Sequence, residues 1–137
     1  MKVHVGSFWS NVAFDCRKFS IARSMPGSIN LPVLSDLAPG SMLLASYKSG
    51  KTDWEGYKKR YYAELHSMLY IKGIKIGSLS EKLVEYFKQI ESQYGYKEFM
   101  LCCWERRKGV EERATKPCHR DIIYALLPDD VKGESID

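Results

Sequence analysis

The sequence predicts a small Rossmann-like three-layer α/β domain with a mainly parallel sheet, and three observations support this class. Short β-type segments alternate along the chain with longer segments whose apolar residues recur at helical spacing. The apolar run at 97–104 has no helical period, which is typical of a strand buried in a parallel sheet. The length of 137 residues suits one domain with its own core. We therefore predict a single domain over residues 1–127 and a frayed polar tail over 128–137.

The first third of the chain is predicted to contain two strands, a long loop and a short helix. Val3 to Val5 alternates with polar neighbours, and a second strand is expected between Asn11 and Ala22. Residues 23–40 are rich in Pro, Gly and Ser but also carry aliphatic side chains, so we expect an ordered loop with a function. A short helix should follow over Gly40 to Tyr47.

Two longer helices are expected in the middle of the chain. Thr52 with Glu55 has the spacing of a capping box, and so does Ser78 with Glu81. Behind each pair, apolar residues recur at steps of three and four and form one stripe: Trp54, Tyr57, Tyr61, Leu65 and Met68 in the first helix, and Leu79, Leu83, Phe87 and Ile90 in the second. Gly95 is expected to end the second helix.

The last predicted elements bring polar residues to one edge of the sheet. The strand at 98–103 ends in Cys103, and Glu105 follows it. The final helix is expected over Cys118 to Leu127, with Pro117 in its first turn. Parallel α/β sheets bind ligands beyond the carboxyl ends of their strands, where helix N-termini attract anions and lower the pKa of a cysteine. We therefore predict an electropositive pocket there, formed by Cys103, Glu105, Cys118, His119 and Arg120.

Simpler roles are open for the same residues. Cys118 has helical spacing from Ile122 and Leu126, so it is equally well explained as a small core residue. Cys102 and Cys103 point to opposite faces of their strand, so at most one of them can serve the pocket. In addition, His119 could hydrogen-bond a neighbouring loop, and Arg120 could pair with Asp121 or Glu105 at the surface.

A zinc site is the next candidate considered. Cys103, Cys118 and His119 are zinc-ligand types, with Cys16 or His4 as a possible fourth ligand. The chain has no C-x-x-C pair, however, and adjacent Cys and His residues rarely coordinate one ion. We therefore assign no metal site from the sequence and leave the cofactor unknown.

Charge and composition limit the partners. The net charge of +4 allows an anionic ligand without requiring one, and the basic residues are mixed with acidic ones. Lys58 to Arg60 is expected to be a solvated helix face, which leaves nucleic acid binding as an alternative. No signal peptide or membrane-spanning segment is recognisable, so we expect a cytoplasmic protein whose four cysteines are free thiols.

Three segments resemble the domain-of-unknown-function 488 (DUF488) family, in its small single-domain branch found in bacteria, archaea and phages. They are FSIARSMP at 19–26, LAPGSMLLASYKSGKTDWEGYKKRYYAEL at 37–65, and LCCWERR…PCHRDII within 101–123. The resemblance implies a Rossmann-like fold but supplies no function. It places the family's motif positions on Ser20, Arg23, Pro26, Tyr47, Lys48, Cys103, Glu105, Cys118, His119 and Arg120.

The chain departs from the family pattern at two places. Ser24 and the segment GSINL stand where the branch commonly has a glycine and an aromatic residue, so the shape of that loop is in question. The insertion RRKGVEERATKP at 106–117 is longer than usual, which predicts a chain-specific lid.

These observations predict an α/β domain that binds or acts on a small anionic, nucleotide-like ligand. Arg23 and Arg120 would hold the anion, and the resemblance adds Ser20, Tyr47 and Lys48 to the ligand contacts. If the protein is an enzyme, which the sequence leaves open, Cys118 or Cys103 would be the nucleophile. His119 would then act as acid or base, and Glu105 would orient a neighbour. The alternatives are a non-catalytic ligand-sequestering or partner-binding accessory protein and a nucleic-acid-associated protein.

Overall fold

A computed structural model describes residues 1–12 and 15–136, apart from the side chain of Val110, and shows a mixed α/β fold. Its four-stranded sheet has the order β2-β3-β1-β4. The strands are β1 (Lys2–Ser7), β2 (Arg17–Ser20), β3 (Glu98–Cys103) and β4 (Lys132–Ser135). Each neighbouring pair of strands is parallel. The predicted α/β class with a parallel sheet is therefore confirmed.

The described residues form five α-helices, four of which pack against one face of the sheet. They are α1 (Ser41–Lys48), α2 (Trp54–Ile71), α3 (Leu79–Tyr94), α4 (Gly109–Thr115) and α5 (His119–Leu126), with a 3-10 turn at Ser35–Leu37. The main core forms between the sheet and α1, α2, α3 and α5. Loop residues such as Phe8, Ala22, Ile29 and Leu31 cover the other face as a third layer.

Most of the two predicted helix stripes lies in the core, although Trp54 and Met68 are only partly buried and Leu69 is buried in α2 instead. One of the two predicted N-termini is wrong. Ser78 and Glu81 form the capping box of α3, and Gly95 ends that helix with a φ of 78°. At α2 the cap is Asp53 instead of Thr52, because the Asp53 carboxylate accepts the Gly56 N–H at 2.8 Å. The Asp53 carboxylate, one residue after Thr52, accepts a backbone N–H of the first turn, as Thr52 was expected to do. α2 therefore begins at Trp54.

The first strands, the loop and the short helix after it agree with the predictions. β2 lies inside the interval predicted for the second strand, although residues 13 and 14 of that interval are outside the described residues. α1 forms where the short helix was predicted. The loop that follows β2 turns back on the sheet through a parallel bridge between Ser20 and Val33, and it buries Leu34 and Leu37.

The end of the chain is a strand, so the prediction of a frayed tail is wrong for residues 132–135. β4 pairs with β1, and side chains from two other elements hold it. The Tyr124 hydroxyl of α5 donates to the Gly133 carbonyl at 2.8 Å. The Glu134 N–H donates to His4 Nδ1 at 2.8 Å. β4 is an edge strand with little buried side-chain area, which explains why its sequence lacks apolar alternation.

No helix in the described part of the chain is long and apolar enough to cross a membrane.

Candidate functional site

A cavity of about 450 Å³ opens at the carboxyl ends of the strands, where the sequence placed the pocket. Its walls come from the loop after β2, from α1, from the end of β3 and from the start of α5: Ala22, Arg23, Ser24, Pro39, Leu44, Lys48, Cys103, Trp104, Glu105 and His119. A smaller cavity of about 30 Å³ adjoins it and is lined by Tyr47 and Cys118, among others. Leu44, Glu105 and His119 line both cavities, so the two are neighbours.

Cys103, Cys118 and His119 form a buried cluster at this place. The imidazole Nδ1 of His119 lies 3.6 Å from Cys118 Sγ and 4.0 Å from Cys103 Sγ. One ligand-type atom from each of the three residues lies within 4.8 Å of the others. Cys102 faces the opposite side of the sheet and packs with Met100, as alternation along a strand requires. The cluster is therefore built by the end of β3 and the beginning of α5.

The ring of His119 is fixed in one orientation. Its Nε2 lies 2.8 Å from the carbonyl oxygen of Ile21. A carbonyl oxygen can only accept, so Nε2 carries a hydrogen. Nδ1 lies 3.6 Å from Cys118 Sγ, whereas Cys103 Sγ lies nearer to Nε2, at 3.6 Å, than to Nδ1. The ring of Tyr61 packs edge-on against the imidazole, with centroids 5.7 Å apart. The imidazole is thus oriented before any ligand arrives.

Glu105 is the acidic member of the site. Its Oε2 lies 3.2 Å from Cys118 Sγ, and its side chain lines both cavities. The backbone carbonyl of Glu105 accepts a hydrogen bond from Arg120 Nη2 at 2.9 Å. Glu105 therefore meets the cluster through its side chain and the rest of the fold through its backbone.

Arg120 lies beneath the site and has no exposed surface. Besides Glu105, its guanidinium donates to the carbonyl of Gly6 and so joins the segment that follows β3 to the end of β1. Among the described residues it does not line either cavity, so its place indicates a positioning role and not the predicted contact with an anion. The surface pairing with Asp121 considered from the sequence is wrong, because Arg120 is buried and Asp121 pairs with Arg107.

Arg107 was not found by sequence analysis, although it fixes the start of α5. Its guanidinium makes a bidentate contact with Asp121, at 2.6 and 2.9 Å. Asp121 in turn accepts the N–H of Cys118 at 2.8 Å. Arg107 follows Arg106 in a charged stretch, and no local pattern distinguishes the buried arginine from the exposed one.

The last helix begins slightly later than predicted. Cys118 is the N-cap with extended backbone angles, His119 is the first helical residue, and Pro117 precedes the helix instead of lying in its first turn. The insertion predicted to be a lid contains α4, and its role as a lid stays a prediction.

The charges of the cluster are set by burial and by the partners of each group. Burial raises the pKa of the Cys103 thiol well above its ordinary value. Burial acts the same way on Cys118, but a hydrogen bond from Cys103 and the nearby charges of His119 and Arg120 outweigh it, so the pKa of Cys118 is well below its ordinary value. Burial would lower the pKa of His119, yet the adjacent Cys118 raises it. The geometry thus favours a Cys118 thiolate beside a His119 imidazolium.

Burial, and then the charge of Cys118, raise the pKa of the Glu105 carboxyl. This shift agrees with the contact between Glu105 and the sulfur of Cys118, because two neighbouring negative charges disfavour each other.

The predicted ligand contacts are only partly brought together. Arg23 and Lys48 line the larger cavity, and Arg23 Nη1 donates to the Pro39 carbonyl at 3.4 Å. Tyr47 lines the smaller cavity, where its ring packs against Tyr57 with centroids 4.9 Å apart. Ser20 is fully buried, and its hydroxyl accepts the Ala22 N–H at 3.3 Å, so it shapes the loop from behind.

Trp104 is a second residue that the sequence did not single out. Its indole N–H donates to the Ser24 carbonyl at 2.8 Å, which joins the end of β3 to the loop after β2 and completes one wall of the larger cavity. Its position between Cys103 and Glu105, both predicted for the site, was the only available signal.

No protein-family model, curated protein or solved structure matches this chain at a significant level. The resemblance to the DUF488 family therefore stays a prediction.

Proposed function

We propose that the protein binds a small anionic, nucleotide-like ligand in the larger cavity and acts on it through the cluster at the cavity wall. One observation carries this proposal: the cationic side chains Arg23 and Lys48 line the same cavity as Cys103, Glu105 and His119. A guanidinium and an ammonium beside a pocket of about 450 Å³ suit a phosphate or carboxylate group on a small molecule.

Cys118 is the proposed nucleophile. Its sulfur would form a bond to the electrophilic carbon or phosphorus of the ligand while the bond to the leaving group breaks. His119, whose Nδ1 lies 3.6 Å from that sulfur, would give its proton to the leaving group. The neutral imidazole would then take a proton from a water molecule, whose oxygen displaces the sulfur and restores the thiolate.

A binding role without chemistry is the second candidate, and the burial of the sulfur atoms favours it. Cys103 and Cys118 are only 1% and 4% exposed, so a ligand in the larger cavity must reach past Glu105 to meet Cys118. A protein that only sequesters its ligand needs no such access.

Nucleic acid association, the third sequence hypothesis, draws on a different surface. Lys59 and Arg60 are exposed on α2 and do not line the larger cavity. Binding to DNA or RNA would therefore persist when the cavity is altered, and it would weaken with rising salt.

The proposal is tested by calorimetric titration with inorganic phosphate and with nucleoside mono- and diphosphates. Arg23→Ala should weaken the binding of the accepted ligand, because a charge-assisted hydrogen bond contributes roughly 1.5–3 kcal/mol, or about 10- to 100-fold in Kd. Arg60→Ala removes an exposed arginine from α2 and is the matched control, with binding unchanged.

Cys118→Ser separates the two candidates. Loss of turnover with retained binding supports the enzyme, whereas a wild-type protein that binds but never transforms the ligand supports the binding role. If Arg23→Ala binds every ligand as the wild type does, or if none of the ligands binds, this use of the cavity is wrong.

A further inference from the structure

The geometry points to a metal site: we propose that Cys103, Cys118 and His119 bind one Zn²⁺ ion through their two Sγ atoms and the imidazole Nδ1. These residues are the group whose ligand atoms all lie within 4.8 Å of one another. They supply three protein ligands and leave a fourth position open to water or to a ligand.

The distance between His119 Nδ1 and Cys118 Sγ fits tetrahedral zinc. Zinc bonds of about 2.3 Å to sulfur and about 2.05 Å to nitrogen place a nitrogen and a sulfur ligand about 3.6 Å apart. His119 Nδ1 lies 3.6 Å from Cys118 Sγ and 4.0 Å from Cys103 Sγ. Cys103 Sγ also lies 3.6 Å from Nε2, so metal binding at Nδ1 requires this sulfur to shift toward Nδ1.

The surroundings of His119 match those of a metal-binding histidine. Such residues donate their second ring N–H to a carboxylate, carbonyl or water, which fixes the tautomer and leaves the other nitrogen for the metal. Here the N–H at Nε2 points at the Ile21 carbonyl, 2.8 Å away, and Nδ1 is left for the metal, 3.6 Å from Cys118 Sγ.

Adjacent cysteine and histidine residues can share one ion here because they lie on either side of a helix boundary. Cys118 is the N-cap, with φ of −135° and ψ of 156°, whereas His119 is already helical. This change of backbone direction lets two neighbouring side chains converge. The Asp121 carboxylate, held by Arg107, accepts the Cys118 N–H and keeps the boundary in place.

The ligand set selects the metal. Two thiolates and one imidazole suit Zn²⁺ and do not suit Mg²⁺ or Ca²⁺, which prefer oxygen ligands. The fourth ligands considered from the sequence do not take part. Cys16 packs on the opposite face of the sheet, and His4 Nδ1 accepts the Glu134 N–H. Glu105, with its carboxylate 3.2 Å from Cys118 Sγ, is instead placed to accept a hydrogen bond from a water on the ion.

This site shares residues with the proposed function but does not rest on it. With zinc bound, both sulfur atoms are ligands, so the nucleophilic role of Cys118 belongs to the metal-free protein alone. The anionic group of a ligand held by Arg23 would then meet the open position on the ion.

The test is a titration of the metal-free protein with Co²⁺, followed by displacement with Zn²⁺. We expect one ion per chain and the near-ultraviolet absorption of a thiolate-to-cobalt bond, lost when zinc displaces cobalt. Cys103→Ser and Cys118→Ser should each weaken binding by more than the roughly 10- to 100-fold that the loss of an outer hydrogen-bond partner costs. Cys102→Ser, its neighbour in β3 on the opposite face, should bind as the wild type does.

A second measurement on the wild-type protein covers the case in which the serine variants do not fold. Alkylation rates of the four cysteines are compared with and without Zn²⁺. We expect zinc to slow the reaction of Cys103 and Cys118 and to leave Cys16 unchanged. The proposal is overturned by a lack of thiolate absorption, by wild-type metal affinity in both folded serine variants, or by zinc protection that does not distinguish the cysteines.

Failure of the two proposals can be told apart. Arg23 lines the cavity outside the cluster, so Arg23→Ala should leave zinc affinity unchanged whether or not an anionic ligand binds. Zinc binding without any ligand binding would leave this site standing and remove the proposed function. Ligand binding without any metal binding would leave the proposed function standing and remove the metal site.

Discussion

Two buried histidines lie in different regions of the sheet, and their pKa values shift in opposite directions. His119, at the carboxyl ends of the strands, is 7% exposed, and His4, where β1 meets β4, is 4% exposed. Burial lowers the pKa of His4 and outweighs the opposing effects of Glu98 and Glu134. Burial also acts to lower the pKa of His119, but Cys118 beside it raises the pKa overall. Equal burial therefore does not set the charge of a histidine; its nearest partner does.

The hydrogen-bond partners also separate a histidine that holds a strand from one that lies in the candidate site. His4 Nδ1 accepts the Glu134 N–H, which requires a neutral ring and ties β4 to β1. His119 donates from Nε2 to Ile21 and leaves Nδ1 3.6 Å from Cys118 Sγ, beside a cavity. A ring that completes the backbone bonding of a strand stabilises the fold, whereas a ring aimed at thiols is available for chemistry.

The largest expected effect is a loss of metal affinity when the ring of His119 is removed. His119→Ala should weaken Co²⁺ binding by more than roughly 100-fold, because it deletes a metal ligand. His4→Ala removes a histidine of similar burial and should leave that affinity unchanged. Cobalt titration of both variants measures the difference. Equal weakening in the two would mean that the comparison reflects stability alone.

A smaller effect is expected at the β4 edge. The backbone of Gly133 lies directly against the His4 ring, so the added Cβ of Gly133→Ala would collide with the ring. We expect a loss of about 1–3 kcal/mol in the free energy of unfolding, measured by urea denaturation. Gly27→Ala meets no atom within 4 Å and is the matched control. A stability equal to that of the control would show that β4 moves freely against His4.

The smallest effect is a pH dependence that belongs to His4. Because burial holds the folded pKa of His4 below the ordinary value of 6.5, the unfolded chain binds the proton more readily between these two pKa values. The stability from the neutral ring is thus fully present above pH 6.5 and is lost as the pH falls toward the folded pKa. The loss is limited to about 1.4 kcal/mol per pH unit.

The measurement compares unfolding free energies of the wild type and His4→Gln across this pH range. The charged residues that act on the His4 ring are Glu98, Glu134 and Lys2. They are present in both proteins, so their charges are the same in the wild type and the variant. His4→Gln should lose this dependence of the free energy of unfolding on pH. If the pH dependence is unchanged in the variant, it comes from other groups, and the contrast between His4 and His119 is removed.

Much of the site could be predicted because it follows from topology. Cys103 ends an apolar run and His119 begins a helix, and parallel strands bring such ends to one edge. The local pattern also gave the Ser78 cap and the buried stripes of α2 and α3. The tertiary contacts of the site residues could not be predicted from the sequence. Arg107 could not be told from Arg106, and the Ile21 carbonyl that orients His119 comes from a distant part of the chain.

The sequence by itself determined the α/β class, the helix stripes and the edge of the sheet where reactive residues collect, because these depend on periodicity and chain order. Only the tertiary structure decided that β4 is a strand, that Asp53 caps α2, and that two cysteines and a histidine point their ligand atoms at one place. Those outcomes depend on distances between residues far apart in the chain, and a linear pattern carries no such distances.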